Sequence, residues 1–185
     1  MHVFILCGSI SENSKTRLLM EKSDFFLKKI GVTVTFEDLR FSKLPFADPA
    51  YHSHPEDYPD ENVRNFLSRF NKADAYLIGS PLYHGTISGV FKNAIDHLRY
   101  DAFRNKAVGL ISYGSSPQRC AFPCITMNTL VKTMYGYPLQ TEVAASKSDI
   151  IENSSGNIRF SDDVIKRLER QIIELNIMNQ VLSKY

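Results

Sequence analysis

The chain of 185 residues is short of cysteine, of clustered charge and of long apolar runs. Its three cysteines, Cys7, Cys120 and Cys124, are too few and too odd in number for a disulfide framework. They point to free thiols in a reducing compartment, so a cytoplasmic protein is expected. Cys120 and Cys124 stand four apart, a conceivable metal spacing, but no second pair accompanies them and Phe122-Pro123 lies between. They read as small buried hydrophobes, and no metal is expected. His52 and His54 have no carboxylate–histidine pattern around them and read as surface residues. Net charge is only +2, without a basic block, which argues against nucleic acid or a membrane surface as partner. No apolar stretch approaches the ~18–20 residues of a membrane-spanning helix. Residues 1–8 lack a basic leader and a cleavage site, so they are expected to form a buried strand and not a signal peptide.

What is present is an alternation of strand and helix patterns. Residues 3–7 are continuously apolar, as in a strand buried on both faces. A helix is predicted from Ser14 to Lys29, with Leu18, Leu19, Phe25, Phe26 and Ile30 as its apolar stripe. Residues 32–39 alternate like a second strand, and residues 41–60, with four of the eight prolines, read as a long irregular loop. Helices over 61–72, 88–99 and 118–134 interleave with strands over 73–79, 107–112 and 137–145. Residues 153–157 read as a polar turn. Ser161, followed by Asp162 and Asp163, caps a last helix that buries Val164, Leu168, Ile172, Leu175 and Leu182. Five such alternations predict an α/β fold of one domain over residues 1–185: a doubly wound, five-stranded parallel sheet, ordered 2-1-3-4-5, with helices on both faces.

Three loops carry the chemistry. The first is Gly8-Ser9-Ile10-Ser11-Glu12-Asn13-Ser14-Lys15-Thr16. Hydroxyls of Ser9, Ser11, Ser14 and Thr16, with free amides at a helix start, can surround an anion; a plainly capped helix is the simpler alternative. The loop lacks Gly-Lys-Ser/Thr, so it is not a Walker A loop, and it lacks the later glycines of the dinucleotide fingerprint. The second loop, Ser80-Pro81-Leu82-Tyr83-His84-Gly85-Thr86, offers an aromatic ring and amides held by Pro81 and Gly85. The third, Ser112-Tyr113-Gly114-Ser115-Ser116, adds another aromatic and a glycine. In the 2-1-3-4-5 order all three converge where the strand order reverses, which is where such sheets bind ligands. The set suits a phosphorylated, flat, polar-edged ring.

At these loops the chain resembles the NADPH-dependent FMN reductase family, of flavodoxin-like fold. The long match is Gly79-Ser80-Pro81-Leu82-Tyr83-His84-Gly85-Thr86-Ile87-Ser88-Gly89-Val90-Phe91-Lys92-Asn93-Ala94-Ile95-Asp96, against a family run S-P-x-Y-x-x-x-x-x-G-x-L-K-N-A-I-D in which only Phe91 departs. The first loop follows G-S-x-R-x-x-S-x-N/T, with Ser11 where the arginine usually stands. The resemblance implies that Ser9, Ser14, Lys15 and Thr16 hold the FMN phosphate. It places Pro81, Leu82, Tyr83 and His84 along the isoalloxazine ring, with Ser112 and Gly114 closing the other side. Ser11, Gly85 and Tyr113 complete the candidate set.

The activity so implied is hydride transfer from NADPH or NADH to FMN and on to a small-molecule acceptor such as free FMN, a quinone or an azo compound. No catalytic side chain is required, and His84 is expected to contribute its backbone N–H. Lys92 and Asp96, spaced i, i+4, read as a surface pair, and Asn93 as a tie to a nearby loop. A non-enzymatic electron carrier is the first rival; its usual acidity is missing here. A flavin-binding protein without turnover is the second. A homodimer, or a tetramer of dimers, is expected: Phe91, Ile95 and Leu98 read as surplus apolar surface, and the resemblance implies that their helix packs on its copy in a partner subunit.

Overall fold

The computed structural model describes residues 1–154 and 158–184. Five parallel strand positions run β2 (Thr33–Asp38), β1 (His2–Cys7), β3 (Ala75–Pro81), β4 (Ala107–Gly114) and β5 (Tyr137–Pro138), the order expected from the alternation. Helices α1 (Lys15–Lys29) and α5 (Asp162–Leu182) cover one face; α2 (Glu61–Asn71), α3 (Gly89–Asp96) and α4 (Phe122–Thr133) cover the other. Each face has its own core. Phe4, Phe70, Tyr76 and Phe103 stack edge and face beneath α2. Val3, Ile5, Leu19, Leu27 and Leu168 fill the other side. Both faces of β1 are therefore dry, which is why its sequence is apolar without alternation. Among the described residues no helix is long and apolar enough to cross a membrane.

Helix starts follow local chemistry. Ser14, Asp60, Ser88 and Ser161 each cap a helix through the side chain. The stripe expected on α1 is corrected: Phe25 and Ile30 are exposed, and Leu19, Met20, Ser23 and Leu27 are buried. α3 is shorter than expected and so is α4, because residues 118–121 form turns before Pro123 enters the first turn of α4.

The fifth strand is also corrected. It is two pieces, β5 and β6 (Val143–Ser146), both parallel to β4. Side chains of α5 bridge the gap: Gln171 donates to Leu110 O and Thr141 O at 3.0 and 2.7 Å, and Glu174 accepts from the amides of Gln140 and Thr141. A short hairpin, β7 (Ile150–Glu152) with β8 (Ile158–Phe160), had no clear signal in the sequence. The turn expected at 153–157 falls partly outside the described residues.

Residues 41–60 contain two short 3-10 turns, Pro49–Tyr51 and Pro55–Asp57. They are pinned to α3 and its C-terminus. Asn93 accepts from Ala47 N and donates to Pro45 O, and His97 Nε2 lies 2.9 Å from the same carbonyl. Asn93 is thus a loop tie, as read, and Lys92–Asp96 is a 2.6 Å surface pair.

Candidate functional site

Strands β1, β3 and β4 end side by side. Cys7 lies in register with Gly79, and Pro81 with Tyr113. The three loops leave this one edge. Gly8 makes the exit possible: a Cβ there would stand 2.7 Å from Phe91 Cβ and 2.9 Å from Gly79 O. Ser88 ties the first two loops together, donating to Gly8 O at 2.6 Å while its amide donates to Ser80 Oγ.

In the first loop Ser9, Ser14 and Thr16 are buried, Lys15 is half-buried and Ser11 is exposed. Ser14 Oγ accepts from Arg17 N at 3.0 Å, so the cap is real. The amides of Lys15 and Thr16 have no intrachain partner among the described residues. Thr16 Oγ1 is buried and has no partner among the described residues, a costly state for a hydroxyl unless a ligand completes it. Lys15 makes no ion pair among the described residues and is a cation at the loop.

The second loop is a tight turn. Tyr83 and Thr86 exchange backbone hydrogen bonds at 3.0 and 3.1 Å, and His84 and Gly85 both have positive φ, 47° and 88°. Two positive values mark a type I′ turn, and its central amides have no partner among the described residues. The tip is exposed, Leu82 is half-buried and Pro81 is buried. Leu82 N donates to Tyr113 O at 2.8 Å, joining the second loop to the third. Gly114 permits that approach, since a Cβ would lie 3.0 Å from Leu82 Cδ2.

The third loop contributes less side-chain chemistry than expected. Ser112 is fully buried; its hydroxyl donates to Cys120 O and accepts from the Cys124 thiol at 3.2 Å. Only its main chain faces the site edge in register with Ser80. Tyr113 is half-buried, and burial raises its pKa. All three cysteines are free and buried. Burial pushes Cys7 up to about 11 and Cys124 up to about 12, so both stay protonated and packed.

Four site-shaping residues stood outside the candidate set: Arg17, Asp38, Arg40 and Ser88. Asp38 ends β2 in register with Cys7. An acid at a strand end beside the first loop was the available signal. The donor set as a whole fits FMN: unpartnered amides and a hydroxyl for a phosphate at the first loop, and two further free amides beside an exposed tyrosine for a polar-edged ring.

The pattern of the NADPH-dependent FMN reductase family matches residues 1–149. An FMN-dependent NADPH-azoreductase of Staphylococcus aureus (strain USA300) is 28% identical over 174 residues, 94% of this chain and 92% of that one. In fold, the apo form of the NADH:FMN oxidoreductase EMOB aligns with a TM-score of 0.76 at 20% identity, covering 100% of this chain and 91% of that one. A WrbA-like flavodoxin from Agrobacterium tumefaciens aligns at 0.62 and 15% identity, covering 97% of each. The chain belongs to the NADPH-dependent FMN reductase family and is an FMN-dependent NAD(P)H oxidoreductase of flavodoxin-like fold.

Proposed function

We propose that the three loops hold FMN and that the enzyme passes electrons from NADPH to an azo compound or a quinone. The observation that carries this reading is the first loop, where unpartnered amides meet the buried, unpartnered Thr16 hydroxyl. Ser9, Ser11, Ser14, Lys15 and Thr16 surround the phosphate. Pro81, Leu82, Tyr83, His84 and Gly85 line the ring, with the His84 and Gly85 amides on its polar edge. The Tyr113 and Gly114 backbone, with Ser112 behind it, closes the far side. Bound FMN supplies the hydride-accepting ring; the protein orients it and leaves one side open. An azo acceptor is favoured over free FMN by the name of the S. aureus relative.

The chain acts as one FMN-binding domain in the cytoplasm, where its three free thiols stay reduced. It is a homodimer or a tetramer of dimers. The surface that supports this is not the one expected: Phe91, Ile95 and Leu98 are buried within the subunit. The exposed apolar surface lies beside them, on Tyr100 and Ile125 at the α3–α4 groove. The test is sequential and anaerobic. NADPH should bleach the flavin colour of the FMN-loaded protein, and an azo dye added next should restore it while losing its own colour. Bleaching without recovery on dye or quinone would remove the acceptor assignment; no bleaching would remove the reductase.

A further inference from the structure

The first loop has no arginine at Ser11, yet two arginines grip it from behind. Arg17, on the first turn of α1, forms an ion pair with Asp38 at the end of β2, and both side chains are nearly closed to solvent. Its Nη2 reaches Asp38 Oδ1 at 3.1 Å and Ser9 O at 2.8 Å; its Nη1 reaches Ser11 O at 2.8 Å and Glu12 O at 3.4 Å. With the Nε–Asp38 contact, every one of the five N–H groups of a guanidinium has an acceptor. Arg17 therefore has nothing left to offer a phosphate. Arg40 completes the grip, with Nη1 on Ile10 O at 3.0 Å and its own amide on Asp38 Oδ1.

The consequence lies in peptide geometry. No peptide bond in the described chain is cis. In a trans peptide the C=O of one residue and the N–H of the next point in opposite directions. Drawing the carbonyls of Ser9, Ser11 and Glu12 onto Arg17 turns the amides of Ile10, Glu12 and Asn13 away from it. None of those amides has an intrachain partner among the described residues.

We propose that Arg17, held by Asp38, is a positioning residue that sets the affinity for the cofactor's phosphate monoester by aiming these amides, without touching the phosphate. This rests on the FMN reading above and adds the device that replaces the missing arginine at Ser11. A rigid ring of main-chain donors costs no reorganisation when the dianion arrives, whereas a long side chain must be ordered.

The test uses FMN and riboflavin, which differ only in the phosphate, each titrated against the intact protein by flavin fluorescence. Arg17→Lys has three donors at one point and cannot span the three carbonyls and Asp38. It should weaken FMN by about tenfold or more while riboflavin changes little. Asp38→Asn keeps the shape of the side chain and decides the sign. A brace loses its anchor, so FMN weakens; a direct phosphate ligand would be released from its competing carboxylate, so FMN would tighten. Tighter FMN in Asp38→Asn, or an unchanged FMN-to-riboflavin ratio in both variants, would overturn the proposal. Riboflavin binding by each variant reports that it has folded. Failure of the unaltered protein to bind either flavin would overturn the function reading itself.

Discussion

The loop edge and the α3–α4 groove are built in opposite ways. The groove is large, about 730 Å³, with a floor of Ile95, Leu98, Leu130 and Met134 and a rim that includes the Lys92–Asp96 pair. Lys92 pairs with Asp96, and the hydroxyls of Thr126, Thr129 and Thr133 turn back onto carbonyls of their own helix. At the loop edge the main-chain donors and one buried hydroxyl have no partner among the described residues. Volume with apolar walls suits another apolar surface. Fixed dipoles at strand ends suit an anion and a polar ring, because a field set in advance attracts charge without reorganising. In this molecule the apolar groove is therefore the poorer guide to chemistry.

The sharpest way to break this contrast is Gly8→Ala. The added Cβ meets Phe91 and Gly79 O below 3 Å, so the β1 exit must shift. A loss on the order of 3 kcal/mol is expected in urea unfolding. Gly89→Ala, where a Cβ meets nothing within 4 Å, is the control and should be nearly neutral. Equal effects from the two would deny that the edge is close-packed.

Replacing Ser14 and Thr16 together with alanine removes one cap and the orphan hydroxyl. FMN should weaken by roughly tenfold to a hundredfold, since hydrogen bonds to a charged group are worth about 1.5–3 kcal/mol each. Riboflavin should lose much less. Equal losses would mean that the first loop does not hold the phosphate.

Between the two regions, residues 41–60 hang on His97. Its Nε2 faces the Pro45 carbonyl, which only accepts, so that nitrogen carries the hydrogen. Its Nδ1 is buried without a partner. Burial first of all lowers its pKa below the ordinary 6.5, and the nearby His52 adds to this. The Pro45 carbonyl, Asp96 and Asp60 act in the opposite sense but do not prevail. The neutral form is thus the folded form. Its stabilisation is complete above 6.5 and is lost as pH falls through the lower folded value. Proteolytic nicking within residues 41–60 should rise on acidification, and His97→Gln should flatten that rise. A pH-independent cleavage rate would remove His97 as the tie.

The smallest effect on the cofactor should come from the groove. Ile125 is 59% exposed there. Ile125→Lys should change FMN affinity by less than about twofold, while light scattering shows the mass falling toward the 21.1 kDa of one chain. Loss of FMN binding with unchanged mass would reverse the roles given to the two regions.

Much of this contrast was legible in the sequence. Strand order, loop placement and the long run from Ser80 to Asp96 follow from continuous apolar strands, capping residues and a specific motif. The buried face of α2 is Val63, Phe66, Leu67 and Phe70, at i, i+3, i+4 and i+7. What stayed hidden depends on distant partners. The split of the fifth strand rests on Gln171 and Glu174, 30 and 33 residues beyond Thr141. The Ser112 hydroxyl turns to Cys120 because α4 begins late, after Ala121. Phe91, Ile95 and Leu98 looked like surplus surface because the sequence of a short helix does not show that they join the core cluster with Met127 and Met134. Arg17 gave its charge but not its direction, which needs the position of Asp38.

The most direct test of the account is a crystal structure of the protein with FMN. The account predicts the phosphate within hydrogen-bond distance of the amides between Ile10 and Thr16, with Arg17 still on Asp38, and the ring edge against the His84 and Gly85 amides. A flavin ring seated in the α3–α4 groove, or a phosphate that turns away from the first loop into solvent, would contradict it.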